Sequence, residues 1–198
     1  MILEGIVTTC DAAGRMHLAA MGPEVDEREC SAAAIERLTL KPFDTSQTAA
    51  NLAAVPEGVF HLVDDVLVFA HAVTKTSFAP PCRPAREVRG WVLDDACAAY
   101  EFRIEATDAS QSRIRHEARV VARHAGRPFM GFNRARHAVV EAAILVTRLH
   151  LLGADEVSRQ MAALAPLVEK TGGSREREAW ALIERAIVDS REESGRNA

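Results

Sequence analysis

Hydrophobic and polar positions alternate with two different periods along this chain. From the N-terminus to about Pro128 the short period of strands dominates, and beyond it the longer period of helices. Residues 2–9 form an apolar run ending in two hydroxyls, Thr8 and Thr9. Asp11 to Gly14 carry turn chemistry, and residues 16–21 resume as a strand. Residues 35–40 read as another short strand, and 59–63 and 66–70 continue the strand-like pattern on either side of Asp64 and Asp65. In residues 100–107, Tyr100, Phe102, Ile104 and Ala106 point one way while Glu101, Arg103 and Glu105 point the other, the period of a half-buried strand. After a turn at 108–111, residues 114–124 alternate again, with His116, Ala118, Val120 and Ala122 opposed to Arg115, Glu117, Arg119 and Arg123. Short antiparallel strands at this spacing predict a small barrel.

Past Pro128, Asn133 is a good helix N-cap. Ala135, Ala138, Val139, Ala142, Leu145, Val146, Leu149 and Leu152 then fall on one helical face, and Gly153 closes the helix. Asp155 opens a second helix with Val157, Met161 and Leu164 on a shared face, and Pro166 is expected to end or kink it. Gly172, Gly173 and Ser174 make a turn and cap before a third helix carrying Trp180, Ile183 and Ile187. The polar tail 191–198 is expected to fray. The expected architecture is mainly β with α: an antiparallel barrel domain over 1–128, then a three-helix region over 129–198. That region is expected to pack on the barrel or on a second copy, because short helices alone bury too little.

Composition narrows the function. The chain has 198 residues, 48% of them hydrophobic, and a net charge of −4, which argues against general nucleic-acid binding. The N-terminus lacks the basic and apolar regions of a signal peptide, and no apolar run approaches the roughly 20 residues of a membrane span. Cys10, Cys30, Cys82 and Cys97 form no Cys-x-x-Cys pair and read as reduced thiols of a cytoplasmic protein. The histidines, His61, His71, His116, His124, His137 and His150 among them, show no metal-ligand spacing, so no metal is expected. There is no P-loop, Gly-x-Ser-x-Gly or Gly-x-Gly-x-x-Gly.

The segment 41–52 stands out. Lysine occurs only at Lys41, Lys75 and Lys170, and Lys41 opens a stretch holding Asp44, Thr45, Ser46, Thr48 and Asn51. A point charge beside several neutral donors suits a phosphate; the same stretch also reads as a solvated loop between strands. Thr8 and Thr9 on the first strand, and Ala19, Ala20 and Gly22 on the second, would let a flat ring approach the backbone, or are simply small core residues. A second candidate is the head of the first long helix, where Asn133, Arg134, Arg136 and His137 would attract an anion; the alternative is that the arginines are solvated or meet carboxylates.

Taken in order, Ile6-Val-Thr-Thr9, Leu18-Ala-Ala-Met-Gly22, and Lys41-Pro-Phe43 with Thr45, Thr48, Asn51 and Leu52 resemble the flavin-reductase-like FMN-binding split-barrel proteins. The chain is more similar to the branch called domain of unknown function 447, whose helical part carries a signature like Phe132-Asn-Arg-Ala135 followed by His137-Ala-Val-Val-Glu141, with Val146-Thr-Arg-Leu149. The resemblance runs from Leu3 to about Ile187; His17 departs from it, since related barrels often carry Asn there. It implies a split barrel followed by a small helical bundle, and one noncovalent FMN at a homodimer interface. Its contacts would come from Thr8, Thr9, His17, Ala19, Ala20, Met21, Gly22, Lys41, Phe43, Thr45, Thr48 and Asn51. Asn133, Arg134 and His137 would cover the other side of the flavin or bind substrate. It also implies an oxidoreductase that passes hydride or electrons between small molecules; no catalytic side chain is named. The alternative is a non-catalytic flavin-binding or assembly protein. Haem has less support, since no histidine stands out as an axial ligand.

Overall fold

The computed structural model of the chain describes residues 1–31 and 35–196, with side chains through 191. Two compact units account for them: Met1–Val63 with Pro80–Phe129, and Asp64–Ala79 with the chain from Met130 on.

The first unit contains strands β1 (Gly5–Cys10) and β2 (Met16–Met21), a short helix α1 (Glu27–Ser31), β3 (Arg37–Leu40), helix α2 (Gln47–Ala54) and β4 (Glu57–Leu62). After the segment given to the other unit come β5 (Cys82–Pro84), β6 (Trp91–Leu93), β7 (Ala98–Asp108) and β8 (Arg115–Ala125). Six strands form one sheet in the order β2-β1-β4-β7-β8-β3, antiparallel throughout, and β5 pairs with β6. β7 and β8 are eleven residues each and slip register twice, at Glu101/Phe102 and Ile104/Ala106. Such bulges increase twist and let a sheet curl. Beyond β2 the chain turns onto β3: Glu24 exchanges backbone hydrogen bonds with Thr39, both at 2.9 Å, and bridges to Ile2. The barrel is therefore joined at Glu24 and split along β2.

Val7, Leu38, Leu40, Leu52, Phe60 and Phe102 fill the interior. Both faces of β1 are covered, since α2 packs against β1 and β2 while β6 crosses β1 and β4. The crossings are tight: a Cβ at Gly58 would stand 2.8 Å from both the Phe102 ring and the Thr8 carbonyl.

Two expectations fail in this unit. The segment read as a loop up to Leu52 becomes helix α2 from Gln47, because Ser46 caps it by accepting from the Ala49 amide at 3.1 Å and because Ala49 and Leu52 are buried on one face. Glu101, assigned outward with Arg103 and Glu105, is fully buried. Its carboxylate accepts from the amides of Arg86 (2.8 Å), Glu87 (2.7 Å) and Val88 (3.2 Å), and pairs with His124 Nε2 at 2.5 Å. The strap 85–90 lies over that face of β7 and supplies the donors.

The second unit contains helices α3 (Val66–Thr74), α4 (Arg134–Thr147), α5 (Leu149–Leu152), α6 (Ala154–Thr171) and α7 (Ser174–Arg196). Residues 66–70 are helical, not a strand. Val66, Leu67 and Ala70 join the core of Ala138, Val139, Val157, Met161 and Ile183, and Asp65 caps the helix through the Leu67 amide at 3.1 Å. A short run apolar on every side carries no period to tell helix from strand. The first long helix breaks at Arg148 before reaching Gly153, and α6 runs through Pro166 without ending there. Glu176 closes the cap of α7 by accepting from the Gly173 amide at 2.9 Å. α7 continues to Arg196, past the point where fraying was expected; positions 197–198 lie outside the described residues.

Candidate functional site

β2 is an edge strand whose six residues are all half-exposed; α2 packs against it and Met21 meets the barrel core, but its outer edge has no strand beside it among the described residues. Pairing sets Thr9 opposite His17, Thr8 opposite Leu18, Val7 opposite Ala19, Ile6 opposite Ala20 and Gly5 opposite Met21. Ala19 and Ala20 thus stand on an open edge, with no bulk between the backbone and a flat ligand. Gly22 is different: a Cβ there would sit 2.6 Å from Ile2 Cγ2, so its small size makes room for the chain's own N-terminal segment.

The hydroxyls predicted from sequence divide into two groups. Thr8 and Thr9 are fully buried. Thr8 Oγ1 donates to the Trp91 carbonyl at 2.7 Å, latching β6 onto β1. Thr9 Oγ1 accepts from Asn51 Nδ2 at 3.0 Å, and Asn51 Oδ1 accepts from Gln47 Nε2 at 2.8 Å, which fastens α2 to β1. Thr48 is buried as well. Phe43, Thr45 and Gln47 face solvent, with Lys41 and Ser46 half-exposed. The outer group gathers at the start of α2. Ser46 donates its amide to the Phe43 carbonyl at 2.9 Å, and its own carbonyl takes the Ala50 amide at 3.1 Å. The amides of Gln47 and Thr48 belong to the first turn, where helix geometry provides no intrahelical acceptor.

Lys41 is not a lone ammonium. Its Nζ binds Glu24 Oε1, the residue that joins the barrel. That hydrogen bond holds the Glu24 carboxyl below its ordinary range, outweighing slight desolvation. The cation that sequence reading missed is Arg113, from the turn between β7 and β8. Its guanidinium lies 4.1 Å over the centre of the Phe43 ring, and Nη1 donates to the Lys41 carbonyl at 3.4 Å. The backbone pairs Phe43 with Arg113, flanked by Asp44 N to Ser112 O at 2.9 Å and Ile114 N to Pro42 O at 3.0 Å. No local pattern signals this, because the partners lie 72 residues apart.

The helix head behaves otherwise. Asn133 Oδ1 accepts from the amides of Ala135 (2.8 Å) and Arg136 (3.2 Å), and Nδ2 donates to the Thr171 carbonyl at 3.0 Å, so the side chain is occupied as a cap. Arg136 meets two carboxylates, Asp64 at 3.2 Å and Glu176 at 3.0 Å. Arg134 and His137 are exposed, the latter with its ring 5.9 Å from that of Phe132. Among the described residues no three His, Cys, Asp or Glu side chains gather as metal ligands, and no helix is long and apolar enough to cross a membrane.

One further buried group belongs to the barrel's frame. His61 Nε2 accepts from the Leu93 amide at 3.1 Å, so Nδ1 carries the proton it shares with the Ile6 carbonyl at 3.1 Å. Burial pushes its pKa down to about 4.

No curated protein matches this chain. Among solved structures, its fold is similar to that of an FMN-bound protein of the DUF447 family from Methanosarcina mazei, with a TM-score of 0.79 at 21% identity, covering 93% of this chain and 94% of that one. An FMN-binding protein from Thermus thermophilus, with bound p-hydroxybenzaldehyde, aligns with a TM-score of 0.51 at 16% identity over 64% of this chain and 75% of that one. The flavin reductase of styrene monooxygenase from Pseudomonas putida gives 0.50 at 16% identity, over 63% and 80%. The shared feature is the fold: an antiparallel split barrel of FMN-binding type, here followed by a helical bundle. Residues 3–127 match the N-terminal domain and residues 133–185 the C-terminal part of a family described as protein of unknown function, DUF447, and the chain belongs to that family.

Proposed function

We propose that this protein binds one FMN noncovalently at the open edge of its barrel and acts as an oxidoreductase. The observation that carries the reading is the division of the hydroxyls. Thr8, Thr9, Thr48 and Asn51 are turned into the protein, while Lys41, Thr45 and Ser46 keep exposure at the start of α2, which packs against the edge strand that carries Ala19 and Ala20. That donor set fits a phosphate monoester: one cation, two hydroxyls and a helix start. The half-exposed edge strand β2, with Ala19, Ala20 and Met21, fits the flat face of an isoalloxazine, and His17 would meet the ring's polar edge. The FMN bound to the Methanosarcina mazei relative supports the same assignment.

Bound flavin would supply hydride and single-electron chemistry. The chain's part is to bind and orient. Thr45, Ser46 and the Gln47 and Thr48 amides hold the phosphate, Lys41 adds charge, and the β2 backbone offers N–H and C=O groups to the ring. Thr9, anchored by Asn51, keeps β1 and α2 in register so that phosphate and ring sites stay at a fixed spacing. The electron donor and acceptor are small molecules. We place the working form as a homodimer with the flavin at its interface, because β2 is an unpaired edge strand whose residues all stay half-exposed, and a second copy would cover what one chain leaves open. Four free cysteines suit a reducing compartment, the cytoplasm.

The same donor set would serve a non-catalytic flavin carrier. Mixing the purified, flavin-loaded protein with a nicotinamide donor separates the two. Rapid bleaching of the yellow band supports the oxidoreductase. A flavin that stays oxidised with every nicotinamide and deazaflavin donor offered supports the carrier.

A further inference from the structure

Lys41 drew attention in the sequence because it is one of three lysines, yet its charge is already met by Glu24. The neighbouring Arg115 is likewise met, by Glu117 at 3.1 Å. Arg113 is not: among the described residues no carboxylate pairs with it, including Asp44 in the loop it leans on. An unpaired surface arginine usually wanders through many rotamers. This one is held, by the Phe43 ring beneath its plane and by the Lys41 carbonyl at one edge. Stacking on a ring keeps a guanidinium weakly hydrated, and its planar fork matches phosphate oxygens two at a time. The residue beneath it, Phe43, begins the turn whose carbonyl takes the Ser46 amide and leads into α2. A positioned, uncompensated cation thus stands on Phe43, three residues before the Ser46 cap of α2.

We infer that Arg113 reads the terminal phosphate of the flavin, so that the site selects the phosphorylated cofactor over uncharged riboflavin. The inference rests on the flavin reading above and names the residue that sets its ligand class. Lys41, its charge shared with Glu24, makes the lesser contribution to the phosphate. Arg113 reaches the site from the β7–β8 turn and so also reports that this turn and the 41–46 loop are paired.

The test is a titration of FMN and riboflavin into the full chain and its Arg113→Ala and Arg113→Lys variants. Arg113→Ala is expected to lose at least about tenfold in FMN affinity while riboflavin affinity stays within about twofold. Arg113→Lys should fall between, keeping charge but not the fork. Arg113 is exposed, so the thermal midpoints of all three proteins should agree. Unchanged FMN affinity in Arg113→Ala, or a parallel loss for both flavins, overturns the inference and leaves the flavin reading standing. A wild-type chain that binds neither flavin ends both.

Discussion

Two arginines, one in each unit, show how differently the units handle polar groups. Arg136, at the head of α4, is closed in by Asp64 and Glu176, and the cap beside it is spent on its own helix. Arg113, in the barrel, is positioned by a ring and a carbonyl with no carboxylate to answer it. At the head of α4 the helical unit meets Arg136 with its own carboxylates and leaves Arg134 and His137 exposed. The barrel satisfies the buried Thr8, Thr9, Asn51, Glu101 and His61 with its own groups, and leaves donors outward along one edge. The lesson is that the count of polar residues at a site says little; what matters is which of them the fold has already used.

This contrast can be broken in three ways. The largest effect is expected in the helical unit. Asp64→Ala removes a buried carboxylate that pairs with Arg136 and accepts from the Met130 amide, leaving Arg136 to Glu176 alone, and should cost about 3 kcal/mol in chemical denaturation. FMN affinity of the folded fraction should be unchanged; a loss would show that the ion pair serves the cofactor.

A comparable effect is expected from pH in the barrel. Unfolded His61 takes a proton near 6.5, whereas the folded residue resists until about 4. Stability is therefore fully present above pH 6.5 and declines as pH falls toward 4, by about 3 kcal/mol for this residue. Urea midpoints at pH 7 and pH 4.5 measure the slope, and a His61→Gln variant, less stable at neutral pH, should show a flatter one. An equal slope in the variant would assign the acid sensitivity to other groups.

The smallest effect is expected at Lys41. Its pair with Glu24 is half-exposed, so Lys41→Ala should change stability by less than about 1 kcal/mol. It should weaken FMN binding severalfold, less than Arg113→Ala does. A reversal of that order would return the main phosphate role to Lys41.

Much of this was legible in the sequence, for identifiable reasons. The long strands β7 and β8 announced themselves because period two persists over many residues, and Asn133 because an N-cap is a local device. Helix α3 was not legible, since Val66 to Ala70 is apolar on every side and only its partners decide its form. Helix α2 was hidden by its polar first turn. Glu101 followed the period yet is buried, because three amides from the strap at 85–90 come to it from outside the strand's own pattern. Within the site, the residue types near 41–51 pointed to an anion, but which of them face outward depends on Asn51 meeting Thr9, a pairing set by the packing of α2 on β1.

The most direct measurement is a fluorescence titration of the purified full-length protein with FMN, followed by mass analysis of anything that heating releases from the protein as isolated. Saturable binding at micromolar FMN or below, with FMN itself in the released material, is the outcome expected here. A colourless protein that leaves FMN fluorescence untouched at those concentrations would contradict the assignment of the open barrel edge as a flavin site.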